Sequence, residues 1–181
     1  MGTSRHFVQF FDREAVLLDS VCGFIGGGLL AGEACVVIAT AAHLDGIHRK
    51  LVERGFDIDA ARKWQQYVTL DAAQTLARFM VDGMPDERRF NEVIGPVIAA
   101  AEEGHPRVLA FGEMVALLCA EGNHEAALQL EKLWNALSKR YGFSLFCAYP
   151  MDVFDGDKHV EAFAAVCAEH SGVIHAESHA K

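Results

Sequence analysis

The sequence predicts an α/β protein with a mostly parallel central sheet of about five or more strands and helices on both faces. Three observations support this fold class. Short apolar runs alternate with longer segments of helical periodicity along the chain. The run CVVIAT is apolar on both faces, as a central parallel strand must be. The chain has 181 residues, 51% of them hydrophobic, which suits one domain with a sizeable core.

The strands are predicted from apolar runs of five to seven residues, beginning with HFVQFF near the N-terminus. Each run is followed by a segment with helical features, which favours right-handed crossovers and a parallel sheet. The predicted strands are 6–11, 35–40, 67–71, 107–113 and 144–150.

The helices are predicted from apolar periodicity and from signals at their ends. Gly55 marks the end of one helix, and Asn123 is suited to cap the start of another. The helix after Asn123 carries an apolar stripe of Leu130, Leu133, Trp134, Leu137 and Tyr141. The predicted helices are 13–31, 41–54, 72–82, 86–103, a short one ending at 122, 124–141 and 158–170. We expect residues 1–174 to form a single domain and residues 175–181 a flexible tail or the start of a linker.

The charge distribution argues against nucleic acid and anionic membranes as partners. The formal net charge is −9, and the bases are not clustered as phosphate binding requires. The N-terminus has no apolar signal segment, and the longest uncharged run, 20–32, is too short to span a bilayer. The five cysteines form no CxxC pair, so we expect reduced thiols and a cytoplasmic protein.

Candidate ligand-binding residues follow from the topology, because ligands of open α/β sheets bind beyond the carboxyl ends of the strands. An apolar pocket is expected there, lined by Phe10, Phe11, Phe111 and Tyr149 around Glu113. Asp12, Asp71 and Thr40 precede helices, so each is either an N-cap or part of the site. Glu113 is either a ligand contact or a structural group that pairs with arginine or caps backbone amides. The candidate ligand-binding residues are Phe11, Asp12, Thr40, His43, Asp71, Phe111, Glu113 and Tyr149.

Nucleotide hydrolysis is not expected. The glycines between Gly23 and Gly32 are followed by neither the Lys nor the Ser/Thr of a phosphate-binding loop, and they lie in or near the end of a helix. Asp12, Asp71 and Glu113 are expected to meet at one rim, where they would repel phosphate. A metal site at His43, Asp71 and Glu113, or at the i, i+4 pair His175 and His179, is disfavoured. We therefore expect no metal, no cofactor and no catalytic residues.

Several segments together resemble one known family, the MEDS sensory domain of methanogens, methylotrophs and a dichloromethane-responsive regulator. They are HFVQFFD, LLAGEACVVIAT, FGEMVALLCAEGNHEAALQLEKLWNAL, CAYP and CAEHSGVI, and the likeness extends from about His6 to Ile174. The resemblance implies a fold similar to RecA/KaiC-type ATPases without a working Walker A motif. Glu113 stands where such ATPases keep a functional acid.

The resemblance further implies a non-catalytic module that binds a small organic molecule and relays the signal to a histidine kinase or a transcriptional regulator. The alternative is a docking module that regulates a signalling partner without a small ligand. A pocket large enough for a ligand would favour the first reading. We also expect a homodimer, with Trp134 as the candidate interface anchor.

Overall fold

The computed structural model describes residues 5–154 and 159–174, and its centre is a six-stranded sheet in which every strand pair is parallel. The strand order is β3-β2-β6-β7-β1-β8, and a separate antiparallel hairpin is formed by β4 and β5. The strands are β1 His6–Phe11, β2 Ala34–Ala39, β3 Tyr67–Asp71, β4 Met80–Val81, β5 Met84–Pro85, β6 Val108–Gly112, β7 Ser144–Pro150 and β8 Gly172–Ile174.

Helices cover both faces of this sheet and bury a separate apolar cluster on each face. The helices are α1 Glu14–Leu30, α2 Ala41–Glu53, α3 Ile58–Lys63, α4 Ala72–Ala77, α5 Glu87–Glu102, α6 Met114–Ala120, α7 His124–Tyr141 and α8 Val160–Glu169. Helices α1 to α3 pack on one face, and α4 to α8 pack on the other. The predicted fold class, a parallel sheet with helices on both faces, is therefore confirmed.

The glycine-rich segment lies within α1, where it allows close packing. A Cβ atom on Gly28 would lie 2.6 Å from Leu109 Cδ1 and 3.0 Å from Cys35 Sγ, and one on Gly26 would lie 2.9 Å from the Phe56 ring. The helix could not approach β2 and β6 this closely with a larger residue at position 28. These glycines therefore have a packing role.

The structure differs from the sequence prediction in three regions. The helix expected over 72–82 ends at Ala77, and the chain then forms the β4–β5 hairpin around Asp82 and Gly83. Both turn residues have positive φ, 48° and 79°, as a two-residue type I′ turn requires. Helix α3 was not predicted. Strand β8, which pairs in parallel with β1, was not predicted either.

Trp134 lies inside the protein, so its assignment as an interface anchor was wrong. Its side chain is 1% exposed and packs edge to face against Phe90 and Phe143, with ring centroids 5.2 and 5.9 Å apart. The apolar stripe of α7 faces the sheet and α5, and Leu17, Val21 and Ile25 of α1 are likewise fully buried. Both apolar stripes are therefore buried in the protein's own core.

The cysteines are free, as expected: Cys22, Cys35, Cys119 and Cys147 are buried, and Cys167 is partly buried. None of the helices in the described parts of the chain combines the length and the hydropathy that crossing a membrane requires. The predicted tail 175–181, with His175 and His179, lies outside the described residues.

Candidate functional site

Glu113 links the ends of two neighbouring strands to the start of α2. Its backbone amide donates to Ile38 of β2, with a distance of 3.0 Å, and this bond places the residue between β6 and β2. One carboxylate oxygen accepts the backbone amide of Thr40 at 2.8 Å. Glu113 is 4% exposed. A buried carboxylate at a helix N-terminus satisfies a free amide and interacts favourably with the helix dipole, so Glu113 has a structural role.

His43 joins Glu113 to the protein surface. Its Nδ1 atom is hydrogen-bonded to the second carboxylate oxygen of Glu113, and its Nε2 atom lies 2.9 Å from Glu14 Oε1. The side chains are 5%, 12% and 71% exposed for Glu113, His43 and Glu14, respectively. The three side chains therefore form a continuous polar chain, the Glu14–His43–Glu113 chain, that runs from a buried helix start to solvent.

The two carboxylates favour the protonated imidazole. The hydrogen bond to Glu113 raises the pKa of His43 above its ordinary value of 6.5, and it outweighs burial, which lowers that pKa; Glu14 contributes in the same direction. Both ring nitrogens can donate to carboxylates only when the ring is charged. In this state His43 has no free lone pair with which to act as a general base.

A surface cleft of about 550 Å³ lies beyond the ends of β1 and β7, beside this chain. Its lining combines apolar and acidic side chains, and Glu14 belongs both to the cleft and to the Glu14–His43–Glu113 chain. The lining residues are Phe11, Asp12, Glu14, Pro150, Met151 and Asp152. The volume falls within the ordinary range of small-molecule sites, about 300–1,000 Å³.

The four aromatic residues predicted to line one pocket lie on opposite faces of the sheet. Phe11 and Phe111 belong to the core under α1 and α2, whereas Phe10 and Tyr149 belong to the core under α6 to α8. Phe10 and Phe11 are neighbours in one strand, so their side chains must point in opposite directions. Phe111 and Tyr149 are fully buried, and only Phe11 lines the cleft.

The acids predicted to meet at one rim are separated by the strand order. Asp71 is the last residue of the edge strand β3, and Asp12 follows β1. Three strands lie between β3 and β1, which separates the two acids by about 19 Å at the usual strand spacing. Asp71 caps α4 by accepting Gln74 N at 2.8 Å. Thr40 caps α2 by accepting His43 N at 3.4 Å. Asp12 does not cap α1, whose N-cap residue is Arg13, and its side chain lies in the cleft.

The connection from β1 to α1 also has no room for a phosphate-binding loop. Only Asp12 and Arg13 separate the strand from the helix, and Glu14 occupies the first helical turn. A phosphate site at a helix N-terminus depends on free amides and a positive potential. Here the two flanking carboxylates oppose an anion.

Sequence reasoning missed a second polar cluster, on the α7 side of the sheet. Glu131 is fully buried, although it lies on the apolar stripe of α7, three residues before Trp134. A charged residue within an apolar stripe was the available signal, because such a group requires buried partners. Those partners, His6, Cys147 and His170, come from distant parts of the chain.

The structure is that of an α/β protein with a parallel sheet. Its candidate site, which includes the Glu14–His43–Glu113 chain of side chains, lies at the carboxyl edge of this sheet. The family model described as the MEthanogen/methylotroph, DcmR Sensory domain, or MEDS, matches residues 5–166. The chain belongs to this family. No curated protein matches the chain.

Proposed function

We propose that this chain is a non-catalytic sensory module that binds a small organic molecule in the cleft beyond β1 and β7. The observation that carries the proposal is the position of Glu14, which lines the cleft and also bonds His43. A ligand that engages Glu14 competes with His43 for its carboxylate. Loss of the Glu14–His43 hydrogen bond then affects Glu113 and the start of α2. The effect passes through two hydrogen bonds, from His43 to Glu113 and from Thr40 to Glu113.

The lining of the cleft favours cationic or hydrogen-bond-donating ligands over anions. Asp12, Glu14 and Asp152 supply negative charge, and Phe11 and Met151 supply apolar contact. Phosphates and carboxylates would meet like charge. The sensed signal passes to an output such as a histidine kinase or a transcriptional regulator. The cleft volume favours ligand sensing over a docking role that needs no ligand.

Ligand-observed NMR with three groups of probes tests this function: methylammonium and other small organic cations, neutral alcohols and amides, and anions that include Mg-ATP. We expect saturable binding in the first two groups and none for Mg-ATP. Glu14→Gln should weaken cation binding by about tenfold, since one charged hydrogen bond is worth about 1.4 kcal/mol or more. Glu53→Gln, at an exposed position near the end of α2, is the control and should bind like wild type.

Two results would overturn the proposal. Tight, magnesium-dependent ATP binding would indicate a nucleotide-binding domain. If no probe binds at millimolar concentration, either to the wild type or to Glu14→Gln, the docking role is favoured.

A further inference from the structure

Four side chains with metal-binding atoms meet in the core on the α7 side of the sheet, away from the strand-end cleft. They are His6 at the start of β1, Glu131 in α7, Cys147 in β7 and His170 just after α8. Their candidate ligand atoms all lie within 4.8 Å of one another. The side chains of Glu131 and His170 are 0% exposed, and that of His6 is 7% exposed. This group is called the His6–His170 cluster below.

Four of the separations between these atoms are close to the edges of a tetrahedral zinc site. His6 Nε2 lies 3.2 Å from Glu131 Oε2 and 3.3 Å from Cys147 Sγ. Glu131 lies 3.5 Å from Cys147 Sγ through Oε2 and 3.3 Å from His170 Nε2 through Oε1. Zinc bond lengths of 2.0–2.3 Å give tetrahedral edges of about 3.3–3.7 Å.

The surrounding hydrogen bonds aim both imidazoles at this centre. His6 Nδ1 lies 2.9 Å from Asn135 Oδ1, and the amide nitrogen of Asn135 donates to Glu169, which fixes the orientation of the amide. His170 Nδ1 donates to the carbonyl of Val166 at 2.6 Å. A hydrogen bond at Nδ1 leaves Nε2 available, which is the usual arrangement of metal-bound histidine.

The centre is incompletely satisfied by protein atoms. His170 Nε2 makes no hydrogen bond of acceptable geometry within the described residues, although Glu131 Oε1 is 3.3 Å away. Tyr149 donates to Glu131 Oε1 at 2.5 Å. This hydrogen bond holds the carboxylate in place within the cluster.

We propose that the His6–His170 cluster binds one divalent transition-metal ion, with Zn²⁺ the best match to two imidazoles, a thiolate and a carboxylate. This proposal departs from the sequence expectation of no metal, and it does not depend on the function proposed for the cleft. Four protein ligands leave no open position for substrate, so the ion is structural or regulatory. It would tie α8 and β8 to β1, β7 and α7. A surface cavity of about 400 Å³, lined in part by His6, Asn135 and His170, adjoins the cluster.

The test uses the full chain without an affinity tag, stripped with a chelator and titrated with Zn²⁺ against a chromophoric competitor. We expect one equivalent per chain and a melting temperature raised by about 5 °C or more when zinc exceeds its Kd a hundredfold. Co²⁺ in place of Zn²⁺ should give tetrahedral visible bands and a near-ultraviolet sulfur-to-cobalt band.

Variants distinguish this cluster from other metal-binding groups. Cys147→Ser should remove the sulfur-to-cobalt band, and His170→Gln should weaken zinc binding at least a hundredfold. Cys22→Ser, a buried thiol of the other core, and the double variant His175→Gln/His179→Gln should behave like wild type. Should Cys147→Ser fail to fold, His170→Gln decides alone. Undiminished zinc binding by His170→Gln, or binding lost only with the two tail histidines, would overturn the proposal.

Discussion

At the scale of single residues, the described structure contains helix caps that the sequence predicts and ion pairs that it does not. Thr40, Asp71 and Asn123 were each expected to precede a helix, and each accepts the backbone amide three residues later. Capping is local, so a short segment contains the whole signal. His43 and Glu113 are 70 residues apart and meet only because β2 and β6 are neighbours in the sheet. No local pattern encodes that meeting.

The His43–Glu113 pair predicts how stability depends on pH. Glu113 raises the folded-state pKa of His43 above the ordinary 6.5. The pair therefore stabilises the folded state fully below about pH 6.5, and this stabilisation is lost as the pH rises through the folded-state pKa of His43. We expect His43→Gln to cost about 1.5–3 kcal/mol at pH 6, a typical value for hydrogen bonds to charged groups, and less at pH 8.5.

Urea unfolding of both proteins between pH 6 and 8.5 measures this difference. The control is His48→Gln on the same helix, since His48 makes no ion pair within the described residues. It should keep the wild-type dependence on pH. An equal loss for His43→Gln at pH 6 and pH 8.5 would mean that the charge of His43 does not contribute.

At the scale of helices and strands, the long apolar runs were predicted well because burial on both faces leaves a strong pattern. Strands β1, β3 and β7 have the predicted bounds. The missed elements are short. Strand β8 lies at the edge of the sheet and has only three residues, so it contains no apolar run of the length that predicted the other strands. Val173 in this strand is 39% exposed. The Asp82-Gly83 pair is typical of a two-residue hairpin turn, and it lies at the end of the helix predicted over 72–82.

The packing of α1 predicts opposite effects for two adjacent positions. Gly28 contacts β2 and β6, and an added methyl group there would overlap Leu109 and Cys35. We expect Gly28→Ala to destabilise the protein by about 1–3 kcal/mol. Gly27 is exposed on the same helix, and a Cβ atom there meets nothing within 4 Å. Gly27→Ala should stabilise the protein by about 0.5–1 kcal/mol through helix propensity.

Denaturant titration of the two variants compares them directly. Both positions lie within α1, so the gain in helix propensity from Gly to Ala is the same for each variant. The difference in stability between the two variants therefore measures the overlap at Gly28. Similar stabilities would show that Leu109 moves aside and that α1 does not require glycine at position 28.

At the scale of the whole molecule, the sheet and its two cores account for the apolar stripes that suggested self-association. Trp134 and the stripe of α1 are buried within one chain. Six large apolar side chains remain exposed among the described residues, and the two most exposed are Trp64, at 74%, and Leu30, at 81%. They follow α3 and end α1, respectively, and Gln66 links these regions by donating to Leu29 O at 2.9 Å. We expect an interface between copies to include this end of the molecule.

We expect a homodimer, with Trp64 rather than Trp134 at its interface. Aromatic anchors at interfaces contribute about 2 kcal/mol or more, so Trp64→Ser should raise the dimer Kd by about thirtyfold. Light scattering at micromolar concentration should give twice 19.8 kDa for wild type and a lower average mass for Trp64→Ser.

The chain has two tryptophans, and Trp134 is buried whatever the assembly. A shift of tryptophan emission on dilution therefore reports Trp64 alone. A mass of 19.8 kDa and constant emission at all concentrations would establish a monomer.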